Sequence, residues 1–188
     1  MKSTLETTVV SRVLFHQTMP ASDQGVDPTR YTLIPRVLIF LTCGDRVLLL
    51  KGAPTKRIWP NRYNGIGGHI ERGEDVLDAA RRELLEEANL SVQGLWLCGV
   101  VTVDTGLNPG IGIFIMKGEC PQGELAASAE GKPEWVALSN ITELPLVEDL
   151  YTLLPRVFAA HRGDPPFSAR YYYDQQEQFV IEFNNQEG

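Results

Sequence analysis

Between Glu74 and Ala88 the apolar residues Leu77, Ala80, Leu84 and Ala88 recur three to four positions apart among mostly charged neighbours. That period draws one apolar stripe along an α-helix, and the Ala, Leu, Glu and Arg content favours helix intrinsically. Asn89 follows where such a helix stops, because Asn tolerates the left-handed conformation second only to Gly. Elsewhere the pattern shortens to strands. Ile34–Leu41 and Val47–Leu50 are β-rich runs separated by Thr42-Cys43-Gly44-Asp45, a hairpin-turn composition. Leu95–Val103, Ile111–Lys117 and Trp135–Leu138 predict further strands, and Val147 to about Ala160 predicts a second amphipathic helix that Pro155 kinks. Phe167–Tyr173 and Phe179–Phe183 alternate apolar with polar residues and predict a C-terminal hairpin. Strands interleaved with two helices give a mixed α/β (α+β) sandwich without internal repeats. A long Gly- and Pro-bearing loop from Gly52 to Gly68 separates the first strand pair from the helix, and loops of that length inside a domain are usually functional. Residues 1–30 are weakly patterned, with one short apolar stretch at Val9–Phe15 as a candidate edge strand.

Composition narrows the partners. With 188 residues, 43% hydrophobic, the chain suffices for one well-packed domain. Its 17 Lys and Arg against 24 Asp and Glu leave a net charge of −7, which argues against binding nucleic-acid polymers or acidic lipid. A small anionic ligand bridged by a divalent cation stays compatible with that field. Cys43, Cys98 and Cys120 are an odd count with no C-x-x-C pair, which fits a reducing compartment. The polar start Met1-Lys2-Ser3-Thr4 has no apolar h-region, and no run approaches the ~20 apolar residues of a membrane span. The expectation is a soluble cytoplasmic protein.

Chemistry concentrates in GHIERGEDVLDAARRELLEEANL, residues 68–90. Glu83, Glu86 and Glu87 stand at i, i+3 and i+4, so three carboxylates share a sector of roughly 100° beside the buried stripe. Like charges at this spacing repel by roughly 0.2–0.5 kcal/mol a pair. A hard divalent cation reverses that sign, and Mg²⁺ prefers carboxylate oxygen while bridging to substrate phosphates. Taken alone, such a Glu-rich face reads as solvated surface. The preceding glycine loop, with Glu74 opening the helix and Arg82 beside Glu83, makes the constellation more specific. Gly65-Ile66-Gly67-Gly68 lacks dinucleotide-fingerprint spacing, Gly106 to Gly112 is not followed by Lys-Ser/Thr, and no H-E-x-x-H or G-x-S-x-G occurs.

The same residues resemble the Nudix (MutT-like) box, G-x5-E-x7-R-E-U-x-E-E-x-G-U with U aliphatic. Gly68, Glu74, Arg82-Glu83-Leu84, Glu86, Glu87 and Leu90 fill it, and Asn89 stands where the family has Gly. The resemblance implies a Nudix α/β/α sandwich with a mixed β-sheet plus a C-terminal β-hairpin. It would be organised as an extension over 1–30, a Nudix domain over 31–162, and a hairpin and tail over 163–188. It implies Mg²⁺, with Mn²⁺ as a substitute, bound by Glu83, Glu86 and Glu87, by a backbone carbonyl of Gly67 or Gly68, and by an acid from a later loop. Glu130 is the first candidate for that acid and Glu134 the reserve. Arg82 would orient Glu83, Glu74 would cap or brace the helix start, and Glu83 is either general base or pure ligand.

The run from Trp59 to Gly68 is similar to the branch that hydrolyses oxidised purine nucleoside triphosphates. That likeness implies Asn64 against the purine edge, Gly67 beside the substrate, and Glu148 or Asp149 as a further base reader. Glu148 and Asp149 read equally well as acids favoured at a helix N-terminus. The implied reaction is hydrolysis of a nucleoside triphosphate, such as 8-oxo-dGTP, to monophosphate and pyrophosphate. The alternatives are hydrolysis of ADP-ribose or a nucleotide sugar, or a non-catalytic nucleotide-binding regulator. The expected partner is a small nucleotide, with neither nucleic-acid polymer nor membrane, for a monomer or homodimer.

Overall fold

The computed structural model of the chain describes residues 24–27 and 29–184. The candidate strand at Val9–Phe15 lies outside them. The chain divides into two compact units, residues 1–30 and 31–188, and all that follows concerns the second.

Its strands are β1 (Leu33–Cys43), β2 (Arg46–Gly52), β3 (Tyr63–Asn64), β4 (Trp96–Asp104), β5 (Gly110–Glu119), β6 (Gly131–Ala137), β7 (Phe167–Tyr173) and β8 (Phe179–Asn184). The helices are α1 (Val76–Ala88) and α2 (Leu150–Ala159), the latter preceded by a 3₁₀ segment, Leu138–Glu143. Strand order is β3-β2-β1-β5-β4-β7-β8, with β6 also paired to β2. β1·β5 and β4·β7 are parallel, while β1·β2, β2·β6, β4·β5 and β7·β8 are antiparallel, so the sheet is mixed.

Period-2 alternation builds the three layers. On β1, Val37, Ile39 and Leu41 face Ala79, Ala80, Leu84 and Ala88 of α1, while Phe40 faces the opposite side with Leu150, Leu153, Leu154 and Val157 of α2. On β2, Leu48 and Leu50 join the first cluster, and Val47 and Leu49 the second. Helices cover both faces of the sheet, which is the α/β/α arrangement.

Both helix ends follow from side-chain chemistry. Asp75 is the N-cap, its carboxylate accepting from the N–H groups of Leu77 and Asp78 at 2.8 and 2.9 Å. The helix therefore begins at Val76 rather than at Glu74. Asn89 ends it at φ 56° and ψ 37°, and its Nδ2 donates to Glu124 O at 3.0 Å. α2 begins at Leu150, three residues later than its pattern predicts, and contains Pro155. The strand expected at Trp135–Leu138 begins earlier, at Gly131, and Leu138 already opens the 3₁₀ segment.

The segment expected as one loop, 52–68, is not free. β2 pairs with β1 only at Thr42↔Val47 and Cys43↔Arg46, while its whole length, Arg46–Gly52, runs along β6. Residues 66–70 take the vacated edge of β1. Ile39 N donates to Ile66 O at 2.7 Å, Val37 N to Gly68 O at 2.9 Å, and Ile70 N to Pro35 O at 3.1 Å. A Cβ on Gly67 would collide with the Val37 carbonyl, so glycine is what permits this close approach.

Candidate active site

A cavity of about 980 Å³ opens over this edge. Its lining includes the candidate site residues Asn64, Gly67, Gly68, Glu83, Glu86, Glu87, Glu130, Glu148 and Asp149, but neither Arg82 nor the reserve ligand Glu134.

The acidic part of the wall comes from α1. Glu83 and Glu87, 8% and 5% exposed, lie on its inward face, whereas Glu86 is exposed. Gly68 lies directly beneath Glu83, and a methyl at that position would run into the Glu83 carboxylate. Glu87 Oε2 accepts from Gly67 N–H at 3.0 Å. Burial pushes the Glu87 carboxyl up to about 7; the Gly67 N–H and Lys56 pull it down, while Glu83 and Glu130 push it further up. Glu130 arrives from the loop before β6 and pairs with Lys56 Nζ at 2.7 Å.

Arg82 sits outside the cavity and braces its wall. Nε and Nη2 grip Glu74 at 2.6 and 3.0 Å, Nη1 reaches Glu83 at 2.8 Å and Glu86 at 3.1 Å, and Nη2 also donates to His69 O at 2.9 Å. The Glu74 carboxyl is held down at about 2 by the Arg82 hydrogen bonds and then by Glu71 N–H. Glu74 thus braces the helix start, while Asp75 caps it.

Among the described residues, no three acidic, His or Cys side chains stand close enough to form a finished metal cage. Glu86 is drawn toward Arg82 and Glu130 toward Lys56, so cationic side chains balance the carboxylates here. The donor set nevertheless suits a hard divalent cation, being all oxygen, with a buried carboxyl destabilised by two neighbouring negative charges. Of the two candidate carbonyls, Gly68 O accepts one hydrogen bond, from Val37 N–H, which occupies one of its two lone pairs. Glu134 does not line the cavity. It accepts from Tyr63 Oη at 2.7 Å and pairs with Lys132 at 3.1 Å, and the Tyr63 bond holds its carboxyl below the usual range.

A second part of the wall is built where residues 145–147 dock on β3. Tyr63 N donates to Pro145 O at 3.0 Å and Val147 N to Tyr63 O at 2.9 Å, which brings Asn64 and Asp149 to one cavity. Asn64 Oδ1 accepts from Gly65 N–H at 2.8 Å, leaving the amide NH₂ as the donor it can offer a ligand. Glu148 pairs with Arg62 at 3.2 Å and is largely solvated. Asp149 precedes α2 without a side-chain capping bond, and burial pushes its carboxyl up to about 6, with Glu148 adding to the rise.

Several lining residues were not singled out as ligand contacts in the sequence. Tyr171, Tyr173 and Phe179 of the C-terminal hairpin line the cavity, whereas Tyr172 points to the other face and pairs with Glu182 at 2.7 Å. The alternation within Tyr171-Tyr172-Tyr173 held that information, but not which face meets the cavity. Tyr171 Oη is buried and has no hydrogen-bond partner among the described residues. Arg36 on β1 also lines the cavity, and its Nε has no hydrogen-bond partner among the described residues.

Comparison with known proteins gives a consistent picture. The NUDIX domain family matches residues 32–157, more than half of the chain. The oxidized purine nucleoside triphosphate hydrolase of Mus musculus is 33% identical over 105 residues, 55% of this chain and 66% of that protein. The NAD-capped RNA hydrolase NudC of Pseudomonas syringae pv. syringae (strain B728a) is 25% identical over 134 residues, 70% of this chain but 46% of that protein. The chain thus spans just under two thirds of the first relative's length and less than half of the second's. The crystal structure of a MutT protein from Bacillus halodurans shares the fold, with a TM-score of 0.67 at 23% identity over 81% of this chain and 98% of that one. Among the described residues, no helix is long and apolar enough to cross a membrane.

Proposed function

The chain belongs to the Nudix family, and on that premise we propose that it is a Mg²⁺-dependent pyrophosphohydrolase acting on purine nucleoside triphosphates, oxidised purines foremost. One observation carries the reading. A single cavity is lined both by the carboxylates of α1 and by Asn64, Asp149 and the hairpin aromatics. The first group suits a metal-bridged phosphate chain; the second offers a donor, an acceptor and ring faces to a flat base.

In this reading Glu83, Glu86, Glu87, Glu130 and a carbonyl of Gly67 or Gly68 would hold the cation. When bound, Mg²⁺ neutralises phosphate charge and lowers the pKa of a bound water. Arg82 fixes Glu83 through its Nη1 hydrogen bond, and Gly67 N–H fixes Glu87. Either carboxylate can accept the proton of the attacking water, and Glu83 is the preferred base because its orientation is locked by Arg82. Arg36 and Lys56 offer positive charge to the phosphates at the same cavity. Phe179 and Tyr173 supply apolar ring surface, and Asp149 with Asn64 reads the base edge. The proposed setting is the cytoplasm.

A second reading, hydrolysis of a nucleoside diphosphate joined to another group, is favoured by the NudC match and by a cavity at the large end of small-molecule sites. The test is product analysis with Mg²⁺ and 8-oxo-dGTP, dGTP, ADP-ribose and UDP-glucose supplied separately. The proposal expects monophosphate plus pyrophosphate from the triphosphates, fastest for 8-oxo-dGTP. Preferential cleavage of ADP-ribose or UDP-glucose would replace it with the second reading.

A further inference from the structure

The end of the sheet away from the cavity carries a pair of thiols that the proposed activity does not use. Cys43 closes β1 and Cys120 follows β5, 77 positions apart in sequence, with their Sγ atoms 2.8 Å apart. Parallel pairing of β1 with β5 sets this up. The register runs from Leu33↔Gly110 to Thr42↔Glu119, so the next residue in each chain segment, the last of β1 and the first after β5, is a cysteine. Cys120 N–H donates to Thr42 O at 2.9 Å, which extends the ladder to the pair. Both cysteines are exposed, whereas Cys98 is buried on β4. Neither Cys43 nor Cys120 lines the cavity, and at about 3.3 Å per residue Cys43 lies roughly 17 Å along β1 from Leu38, the nearest lining residue of that strand.

We infer that Cys43 and Cys120 are a covalent modification site, a dithiol that small disulfides of the oxidised-glutathione class convert to an intramolecular disulfide. One cysteine thiolate attacks the small disulfide, forming a mixed disulfide and expelling one small thiolate. The other cysteine thiolate then attacks the protein sulfur of that mixed disulfide, expelling the second. Two electrons pass from the cysteine pair to the reagent, and the two cysteine protons end on the two released small thiols. The two Sγ atoms already stand 2.8 Å apart, so bond formation asks for only a small approach of the two side chains. The hydrogen bond it shares with Cys43, then burial and the charges of Cys43 and Glu119, hold the Cys120 thiol above the ordinary cysteine range, which slows attack by its thiolate at neutral pH. Cross-linking positions so far apart removes freedom mainly from the unfolded chain, so the oxidised protein melts at a higher temperature. The distance from the cavity leaves turnover unchanged.

The test incubates the full chain with oxidised glutathione. Intact mass, free thiols counted in denaturant and the melting temperature are then read before and after dithiothreitol. The expected result is a fall from three free thiols to one, the loss of two hydrogens from the intact mass, a peptide joining Cys43 to Cys120, and a higher melting temperature reversed by dithiothreitol. The C43S variant should instead gain a glutathione adduct at Cys120 and show no stabilisation. Separate adducts on both cysteines of the wild type, a covalent dimer on a non-reducing gel, or three persistent thiols would each overturn the inference.

Discussion

Arg82 and Glu74 meet at two points across the start of α1, Nε to Oε1 at 2.6 Å and Nη2 to Oε2 at 3.0 Å. That grip leaves Nη1 to reach Glu83 and Glu86, so one guanidinium fixes the loop before the helix and the carboxylates on it. Only a planar fork can do both. Arg82→Lys should therefore fold but lower kcat by about 10- to 100-fold with little change in KM, because the positioning of Glu83 is lost rather than substrate contact. Steady-state kinetics with thermal melts checks this, and an unchanged kcat would remove Arg82 from the positioning of Glu83.

Lys117 offers a prediction about the scaffold. It is 7% exposed, and its Nζ donates to the carbonyls of Val157, Phe158 and Ala160 at 3.0, 3.4 and 2.8 Å, where α2 ends. A cation there satisfies carbonyls that the helix leaves open and complements its dipole. Lys117→Met should destabilise the fold by about 1–3 kcal/mol in urea unfolding. Wild-type stability would mean that the burial cost of the ammonium cancels its hydrogen bonds.

The fold was largely readable because each layer rests on a period. Leu77, Ala80, Leu84 and Ala88 mark one face of α1, and β1 and β2 bury both faces of alternating apolar runs. Asn89 announced the helix end through its own conformational preference. The helix start was less legible, since Glu74 and Asp75 are adjacent acids and only geometry shows that Asp75 caps while Glu74 takes Arg82. Long-range placement was not legible at all. Nothing local says that residues 66–70 take the edge of β1, that Tyr63 pairs with residues 145–147, or that Cys43 meets Cys120. Those follow from strand register, which single-chain patterning does not fix.

Asp149 gives the pH dependence. Its folded carboxyl lies near 6, above its ordinary 3.8, chiefly through burial. A raised folded value means that this group's contribution to stability is fully present below about 3.8 and is lost as pH rises through about 6. Relative to Asp149→Asn, the wild type should lose on the order of 3 kcal/mol across that window and run parallel above it. Chemical unfolding of both proteins at several pH values checks this. Curves parallel throughout would show that Asp149 ionises freely in the folded protein.

Tyr171 separates stability from recognition. Its hydroxyl is buried at the cavity wall with no partner among the described residues, an arrangement that costs stability. Tyr171→Phe should raise the unfolding free energy by about 1 kcal/mol, while KM for the preferred purine nucleotide rises several-fold. An unchanged KM together with the stability gain would assign the hydroxyl no part in binding.

The central claim is that the carboxylates of α1 hold a divalent cation that drives phosphoanhydride cleavage. Its most direct test is pyrophosphate release from 8-oxo-dGTP as Mg²⁺ is titrated, for the wild type and Glu87→Gln. Glutamine keeps the size of the side chain and an acceptor for Gly67 N–H, so folding should be spared. The account expects saturable Mg²⁺ dependence in the wild type, none after chelation, and a loss of at least about 100-fold in the variant. Equal rates for the two proteins, or a wild-type rate indifferent to chelator, would contradict it.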